Sequence, residues 1–217
     1  MNNQDSIQYS TTNESLQAIV EGMDLSRDDD VLAVLGSGDQ AIAMAEYANS
    51  VTAYDLNPGQ VQHARYKIRL INQGRFDEFI NAGNLWSKTK KARRDAYFGV
   101  SGRLERIREK AEQIKLKAGK LRAPKKGLFS KAYLSNILGY GMAEAPWLRT
   151  RLFLGRLAKR LRAPGLIYIA NGDRIDRQFL FQMDYIPGNL MIDEKLTKQA
   201  RDIEIKWWQP LVLMRKA

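Results

Sequence analysis

The chain contains no cysteine and only one histidine among its 217 residues. Without cysteine there is no disulfide framework, no thiolate metal site and no cysteine nucleophile. No apolar run approaches the roughly 20 residues needed to cross a bilayer. No cluster of His, Asp and Glu has the spacing of metal ligands, so we predict no metal site. Apolar residues make up 44% of the chain and charged residues 27%, a composition typical of a folded globular protein.

The length suits one domain, or one domain with an insert. We expect a single domain over residues 1–217, with residues 74–128 as a basic helical insert. The first ten residues are polar and lack the basic-then-apolar order of a signal peptide. Together with the absence of cysteine, this favours a cytoplasmic location.

Positive charge is concentrated in one part of the chain. Between Ser87 and Lys126, fifteen Lys or Arg residues stand against four acidic residues, a balance equal to the net charge of +11 of the whole chain. A basic segment in an otherwise neutral chain favours an anionic partner, either a membrane surface or RNA. Peripheral attachment to a membrane would fit the first partner. The alternative is a solvated helical face without a partner.

The first third of the chain follows the order of a doubly wound sheet. Residues 31–35 form a continuous apolar run, which indicates a strand buried on both faces. A glycine turn and an Ala-rich helix to about residue 48 come next, and residues 51–54 form a second strand that ends on Asp55. Pro58 then opens a helix that extends to about Ile71. Strand, turn, helix, strand, acid and helix are the first half of a doubly wound domain.

The remaining elements are less regular. Residues 75–81, 85–96 and 103–118 have helical character, and residues 96–100 are the one weak candidate for a third strand. A fourth strand is predicted over 132–138, an amphipathic basic helix over 147–161 and a fifth strand over 166–170. Residues 203–208 and 211–214 are predicted to form a closing antiparallel pair. The predicted fold is a Rossmann-like α/β sheet of the class I SAM-dependent methyltransferase type, with an antiparallel C-terminal hairpin and a helical basic insert.

The glycine turn and the acid after the second strand predict a nucleotide site. Gly36 and Gly38 let the backbone turn sharply after a buried strand and let a ligand lie against the main chain. Asp55 follows Gly36 by nineteen residues and stands at the tip of the neighbouring strand. A carboxylate in that place accepts hydrogen bonds from both ribose hydroxyls.

The residue after the turn distinguishes between nucleotides. Residues 36–41 fit the dinucleotide pattern, but little chain is left for a second nucleotide-binding half or a catalytic domain. Asp39 would repel a pyrophosphate. S-adenosylmethionine (SAM) has no phosphate, and its positively charged sulfonium and amino groups favour a nearby acid. We therefore predict that SAM is bound as a co-substrate.

Three segments carry a resemblance to a known family. Residues 37–41, 55–60 and 134–138 resemble the Gly-Asx turn, the Asp-Leu-Asn-Pro-x-Gln segment and the Leu-Ser-Asn-Ile segment of the SAM:diacylglycerol 3-amino-3-carboxypropyltransferases of betaine-lipid synthesis. Tyr9 and Glu14 are similar to the N-terminal Tyr…Trp-Glu-Asp segment of that family, although the Trp and the Asp are missing. The likeness covers the SAM-binding core and leaves out the basic segment.

The resemblance implies transfer of the 3-amino-3-carboxypropyl group to a hydroxyl acceptor such as a glycerolipid, with release of methylthioadenosine. It implies that Ser135 and Asn136 orient the amino-acid part of SAM, and that Tyr140 and Tyr9 orient the acceptor. The expected catalytic residues are Asn136, Tyr140 and Tyr9. The expected SAM-binding residues are Gly36, Ser37, Gly38, Asp39, Asp55, Leu56, Asn57, Gln60, Ser135 and Asn136.

Other functions fit the same pattern. SAM could react with its own amine or carboxylate and give a cyclised or eliminated product. The chain could also be a SAM-dependent methyltransferase acting on RNA or a small molecule, or an RNA-binding module that transfers nothing. Three weaker candidates for the site are His63, as a base, and Asp173 with Arg174, past the fifth strand. Trp207 and Trp208 are expected to pack in the core rather than to line a pocket.

Overall fold

The structure is a computed structural model that describes residues 7–82, 88–122, 125, 127–139, 146–170, 186–204 and 208–216. The strands of this part of the chain are β1 (Asp30–Val34), β2 (Ser50–Asp55), β3 (Ile114–Ala118), β4 (Lys131–Tyr133), β5 (Leu166–Ile169), β6 (Leu190–Ile192) and β7 (Leu211–Arg215). The helices are α1 (Leu16–Gly22), α2 (Asp39–Ala45), α3 (Pro58–Asn72), α4 (Phe76–Asn81), α5 (Lys88–Phe98), α6 (Arg103–Arg108), α7 (Pro146–Arg160) and α8 (Glu194–Ile203).

The strands form one sheet in the order β3-β2-β1-β4-β5-β7-β6. The first five strands in this order are parallel, and β7 is antiparallel to both of its neighbours. Chain order and sheet order reverse direction between β1 and β4, so the carboxyl ends of these two strands bound a crevice at one edge of the sheet. Within the described helices, none is long and apolar enough to span a membrane.

Helices cover both faces of the sheet, and the strands alternate between the two cores. In β1, Val31 and Ala33 belong to one apolar cluster, and Leu32 belongs to the other. In β5, Tyr168 faces the first cluster and Ile167 faces the second. Successive side chains of a strand point to opposite faces, so a strand buried on both sides has a continuous apolar sequence. This is the reason why residues 31–35 and 166–170 are recognisable without a periodic pattern.

The first half of the predicted order is confirmed. β1, the glycine turn, α2, β2 and α3 follow in the expected sequence, and Pro58 opens α3. α1 precedes β1, and its N-cap is Ser15, whose side chain accepts a hydrogen bond from the Ala18 amide.

The third strand lies where a helix was predicted. The helical prediction over 103–118 is wrong beyond Arg108, since α6 ends there and residues 114–118 form β3, parallel to β2. Ile114 and Leu116 alternate with the exposed Lys115 and Lys117, a pattern of period two. Lysines also protect an edge strand from pairing with other chains. Residues 96–98, proposed as a weak strand, belong to α5. The segment predicted as a helical insert therefore supplies a strand of the sheet.

The C-terminal half differs from prediction in two strands. β4 stops at Tyr133, and a short 3-10 turn follows at residues 137–139, so the predicted strand over 132–138 is too long. The antiparallel partner of β7 is β6 rather than residues 203–208. Of the predicted strand, Ile203 is the last residue of α8, and residues 205–207 lie outside the described residues. The closing pair is real, but its first strand comes before α8.

Candidate active site

The glycine turn and Asp55 meet at the carboxyl edge of the sheet. The backbone φ angles of Gly36 and Gly38 are 52° and 83°, a region that favours glycine. A Cβ at Gly38 would lie 2.7 Å from the Cβ of Ala64, so the close packing of the turn on α3 also requires glycine. The Gly36 amide donates to Asp55 Oδ2 at 3.2 Å. The two predicted ligand-binding elements are thus joined directly.

Asp55 is held in a fixed orientation by main-chain amides. Besides Gly36, the Asn57 amide donates to Asp55 Oδ1 at 2.9 Å. Partial burial raises the pKa of the Asp55 carboxyl group, and the hydrogen bonds from these amides oppose this shift. Leu56, the next residue, has 68% of its surface exposed. A half-buried carboxylate beside an exposed apolar side chain is suited to a ribose and its attached base.

Asn57 and Gln60 organise the start of α3. Asn57 caps the helix, and its Oδ1 accepts from the Gly59 amide at 2.8 Å. Gln60 is 1% exposed, and its Nε2 donates to the Gly36 carbonyl at 2.6 Å and to the Tyr9 carbonyl at 2.9 Å. The position of Gln60 makes it a brace between the glycine turn and the N-terminal segment.

Residues 8–15, which we call the N-terminal strap, lie across this edge. The Gln8 and Tyr9 amides donate to Gln60 Oε1, and the Ser10 carbonyl accepts from Lys67 Nζ at 2.6 Å. The Thr12 amide donates to Asp39 Oδ2 at 3.1 Å. Tyr9 is 38% exposed, as a residue near an acceptor would have to be. The strap thus runs from the start of α3 to the tip of β4 and contacts α2, α3 and the end of β4.

Asp39 does not face a ligand as we expected. Its side chain is fully buried, and Oδ1 lies 2.9 Å from Lys67 Nζ and 3.1 Å from Arg94 Nε. Although burial raises the carboxyl pKa, these two cations outweigh burial and leave the pKa of Asp39 below its usual value. The charge of Asp39 is already balanced inside the protein, so its side chain neither attracts the sulfonium nor repels a pyrophosphate. Ser37 is 1% exposed, and its Oγ accepts from the Asp39 amide.

The tip of β4 brings Ser135 and Asn136 to the same edge. β1 and β4 are paired with Ala33 opposite Tyr133, so residue 135 lies beside the end of β1. Ser135 has a φ of 50°, which turns the chain sharply after the strand. Its Oγ donates to Glu14 Oε1 at 2.7 Å and lies 3.3 Å from Asn136 Oδ1. Glu14 belongs to the strap and is a site residue whose contacts could not be foreseen from its position in the sequence.

The tip of β3 completes the edge on the side of β2. Ala118 is opposite Asp55 in the parallel register, and the Gly119 amide donates to the Asp55 carbonyl at 2.7 Å. Anything held by Asp55 therefore has Ala118 and Gly119 close by. These residues were missed because β3 itself was missed.

The remaining candidates are placed as follows. His63 is half-buried on α3, with Nε2 3.3 Å from the Ser10 carbonyl, and burial lowers the pKa of its imidazole. Trp208 Nε1 donates to the Asn13 carbonyl, so this side chain fixes the strap. Tyr140, Asp173, Arg174 and Trp207 lie outside the described residues.

Several solved structures share this architecture. The chain matches the ribosomal protein L11 methylase of Lactobacillus delbrueckii subsp. bulgaricus with a TM-score of 0.52 and 16% identity, over 94% of this chain and 79% of that protein. For the tRNA (m1A58) methyltransferase TrmI of Aquifex aeolicus, the values are 0.50 and 13%, over 93% and 68%. TrmN of Thermus thermophilus gives 0.55 and 14%, over 98% of this chain and 52% of TrmN, about half its length.

The fold is that of the class I SAM-dependent methyltransferases. The predicted fold class is confirmed, and at these identities the likeness concerns the fold alone. No protein-family model matches the sequence, and no curated protein matches it.

The basic segment is divided between the interior and the surface. Arg94 is fully buried against Asp39, and Arg103 is 8% exposed and forms an ion pair with Glu46 at 2.9 Å. On the surface, Arg106 and Arg108 of α6 are exposed, as are Lys115 and Lys117 of β3. Six Lys or Arg residues and no acidic residue lie between Ile114 and Gly127. Exposed basic residues thus follow the edge strand, next to the tip that borders Asp55.

Proposed function

We propose that this protein is a SAM-dependent transferase. The observation that carries the proposal is the Asp55 carboxylate at the tip of β2, fixed by the Gly36 amide and open enough to accept the ribose hydroxyls. The glycine turn beside it provides main-chain atoms against which the rest of the nucleoside can lie. Leu56 and the tip of β3 offer a surface for the base.

The buried, ion-paired side chain of Asp39 does not distinguish SAM from a dinucleotide. The sheet topology does, and it supports SAM. A dinucleotide-binding domain continues with a second parallel half, which holds the second nucleotide. In this chain β5 is followed at the sheet edge by the antiparallel strands β7 and β6. The described sheet leaves room for a single nucleoside.

For the reaction, we propose transfer of the 3-amino-3-carboxypropyl group to a hydroxyl acceptor such as a glycerolipid. The support is the family resemblance of residues 37–41, 55–60 and 134–138, together with the meeting of these three segments at one sheet edge. SAM activates three carbons next to its sulfonium, so the enzyme selects the reaction by placing one carbon in line with the nucleophile. Asn136, Tyr9 and Tyr140 are the proposed orienting residues. Intramolecular reaction of SAM is a variant of this chemistry.

Methyl transfer to RNA or to a small molecule is the second candidate. The stretch from Ile114 to Gly127 favours it, because a run of basic residues without acidic ones, beginning beside the nucleoside site, suits a phosphate backbone. The same stretch suits anionic lipid headgroups. Sedimentation with liposomes that contain increasing phosphatidylglycerol, and with total RNA, at several salt concentrations would tell the two partners apart.

The product nucleoside decides between the reactions. The purified chain is incubated with SAM and either dioleoylglycerol micelles or total RNA, and the SAM-derived nucleoside is identified by mass spectrometry. Methylthioadenosine together with a modified lipid is the expected result. Methylthioadenosine without a modified acceptor would indicate intramolecular reaction, and S-adenosylhomocysteine would replace the leading proposal by methyl transfer.

Substitution of Asp55 tests the donor site. We expect Asp55→Ala to weaken SAM binding by at least about 100-fold, since two hydrogen bonds to a charged group are lost at roughly 1.5–3 kcal/mol each. The measurement is isothermal titration calorimetry. Asp30→Ala is the matched control, because Asp30 is an ion-paired aspartate at the opposite end of β1. Equal affinity of both variants for SAM would mean that Asp55 does not hold the ribose.

A further inference from the structure

Glu14 is a buried carboxylate beside the tip of β4, and no cation of the described residues is paired with it. It is 5% exposed, and its oxygens accept from Tyr133 Oη at 2.5 Å and Ser135 Oγ at 2.7 Å. Among the described residues, no Lys or Arg forms an ion pair with it. A carboxylate oxygen has two acceptor positions, so each Glu14 oxygen can accept one further hydrogen bond. A buried charge without a counter-ion is costly unless something else provides one.

Other described groups near Glu14 do not neutralise its negative charge. Tyr168 of β5 is buried, and its hydroxyl has no hydrogen-bond partner among the described residues. Glu204, at the end of α8, repels Glu14, and the nearby Arg93 of α5 forms its ion pair with Glu204 instead, at 3.3 Å. Burial therefore dominates and raises the pKa of Glu14 to about 7, although the hydrogen bonds from Ser135 and Tyr133 lower it. Near neutral pH, Glu14 is poised between its two protonation states.

The position of Glu14 along the sheet edge indicates which group of a ligand could neutralise its charge. Neighbouring strands lie about 4.8 Å apart, so the tips of β2, β1 and β4 cover roughly 10 Å. A nucleoside with its ribose on Asp55 at β2 passes over the glycine turn at β1. The methionyl end of SAM then reaches β4, where Ser135 connects to Glu14. That end carries an α-ammonium group, which is a hydrogen-bond donor with a positive charge.

We propose that Glu14 is the counter-charge for the α-ammonium group of SAM, reached at the tip of β4 beside Ser135. This inference rests on the proposed SAM site. It assigns to the strap a binding role in addition to its structural one. It also accounts for a carboxylate whose side-chain partners, in the part of the chain that the structure describes, are two hydroxyl groups, because a permanent cation such as Lys67 at Asp39 would leave no charge for a ligand.

The consequence is a coupling between ligand binding and one proton. An opposite charge within about 4–6 Å lowers a carboxyl pKa by 1–3 units. SAM should therefore displace the proton from Glu14 at pH values below 7, and the observed affinity should rise with pH up to that point. S-adenosylhomocysteine keeps the α-ammonium group and should behave in the same way. Methylthioadenosine has no amino-acid end and should bind without releasing a proton.

Calorimetry with the three nucleosides tests this coupling. Binding to the wild-type chain is measured between pH 5.5 and 7.5 in buffers of different ionisation enthalpy, which reports the protons released. For SAM and S-adenosylhomocysteine we expect the Kd to fall about tenfold over this range, with proton release at the acidic end. For methylthioadenosine we expect a change of less than about twofold. A pH dependence shared by methylthioadenosine would overturn the assignment.

Two variants isolate the carboxyl group. Glu14→Gln keeps the size and, like protonation, removes the charge and turns one acceptor into a donor. It should make the Kd for SAM independent of pH and about tenfold weaker at pH 7.5. Tyr133→Phe keeps the carboxyl group but removes a hydrogen bond that lowers its pKa, so the coupling should persist with its midpoint at higher pH. A Glu14→Gln variant that still shows the wild-type pH dependence would refute the proposal. If the folded wild-type chain binds none of the three nucleosides, the SAM site itself is wrong and this inference falls with it.

Discussion

Two buried carboxylates at the same sheet edge differ in their partners and in the direction of their pKa shifts. Asp39, at the start of α2, is flanked by Lys67 and Arg94 within 3.1 Å, and its pKa lies below the usual value. Glu14, on the strap, is held by two hydroxyl groups, and burial raises its pKa to about 7. Similar burial thus accompanies pKa shifts in opposite directions, because the kind of partner decides whether desolvation is offset.

The difference distinguishes a charge that is neutralised within the protein from a charge that a ligand can neutralise. The Asp39 cluster joins the glycine turn, α3 and α5 in a fixed arrangement and has no charge left over for a ligand. Glu14 joins the strap to β4 by hydrogen bonds that persist in either protonation state. A site that must take up a cation and release it needs a carboxylate of the second kind.

Removal of the Asp39 charge should have the largest effect on stability. Asp39→Asn leaves Lys67 buried without its counter-ion and leaves Arg94 with only its longer ion pair to Asp95 at 3.6 Å. Removal of one partner from a buried ion pair typically costs about 3–5 kcal/mol. Urea unfolding at pH 6 measures the loss. Asp202→Asn is the control, since the Asp202–Lys198 pair is 61% and 77% exposed and should contribute less than about 1 kcal/mol. Similar small losses in both variants would show that the Asp39 cluster does not stabilise the turn.

Neutralisation of Glu14 should act in the opposite direction. Because its folded pKa is about 7 and its ordinary value is 4.5, the folded protein binds more protons than the unfolded chain between these values. The cost of the charge is absent below pH 4.5, and it grows to about 3 kcal/mol as the pH rises through 7. Glu14→Gln should therefore be more stable than the wild type by about 2–3 kcal/mol at pH 8.

The pH dependence is the decisive part of this measurement. At pH 4.5 the unfolding free energies of Glu14→Gln and the wild type should be nearly equal, since the wild-type residue is then protonated as well. Urea unfolding at both pH values gives the comparison. A stability difference that is the same at pH 4.5 and pH 8 would mean that Glu14 does not titrate in this range.

The sequence predicts those parts of the site that depend on neighbouring residues. Gly36, Gly38 and Asp55 are recognisable because the turn and the strand tip are set by the local chain. β3 is missed because Lys115 and Lys117 make a short edge strand look like the end of a basic helix. β6 has only three residues, which is too short for a pattern.

The charge states of the site depend on contacts between distant parts of the chain. Ser135 is 121 residues from Glu14, and Arg94 is 55 residues from Asp39. The sequence shows both acids near the turn but not which of them receives the cations. The expectation that the Asp39 side chain faces SAM does not fit its buried ion pairs with Lys67 and Arg94, and Glu14 is the carboxylate that we propose for this role instead.

Tyr133→Phe should give the smallest effect and the finest comparison. The Tyr133 hydroxyl donates to Glu14, so its removal should cost about 1–2 kcal/mol at pH 8, where Glu14 is charged, and less at pH 5. Tyr168→Phe is a matched control, because Tyr168 is opposite Tyr133 in the register of β4 and β5 and its buried hydroxyl has no partner among the described residues. Its removal should be neutral or slightly stabilising at both pH values. Urea unfolding of Tyr133→Phe in the Glu14→Gln background completes a double-mutant cycle, in which the pH-dependent part of the loss should vanish. If both tyrosine variants lose the same stability at pH 8, the loss reflects the space that each buried hydroxyl fills, and the hydrogen bond from Tyr133 to Glu14 does not stabilise the fold.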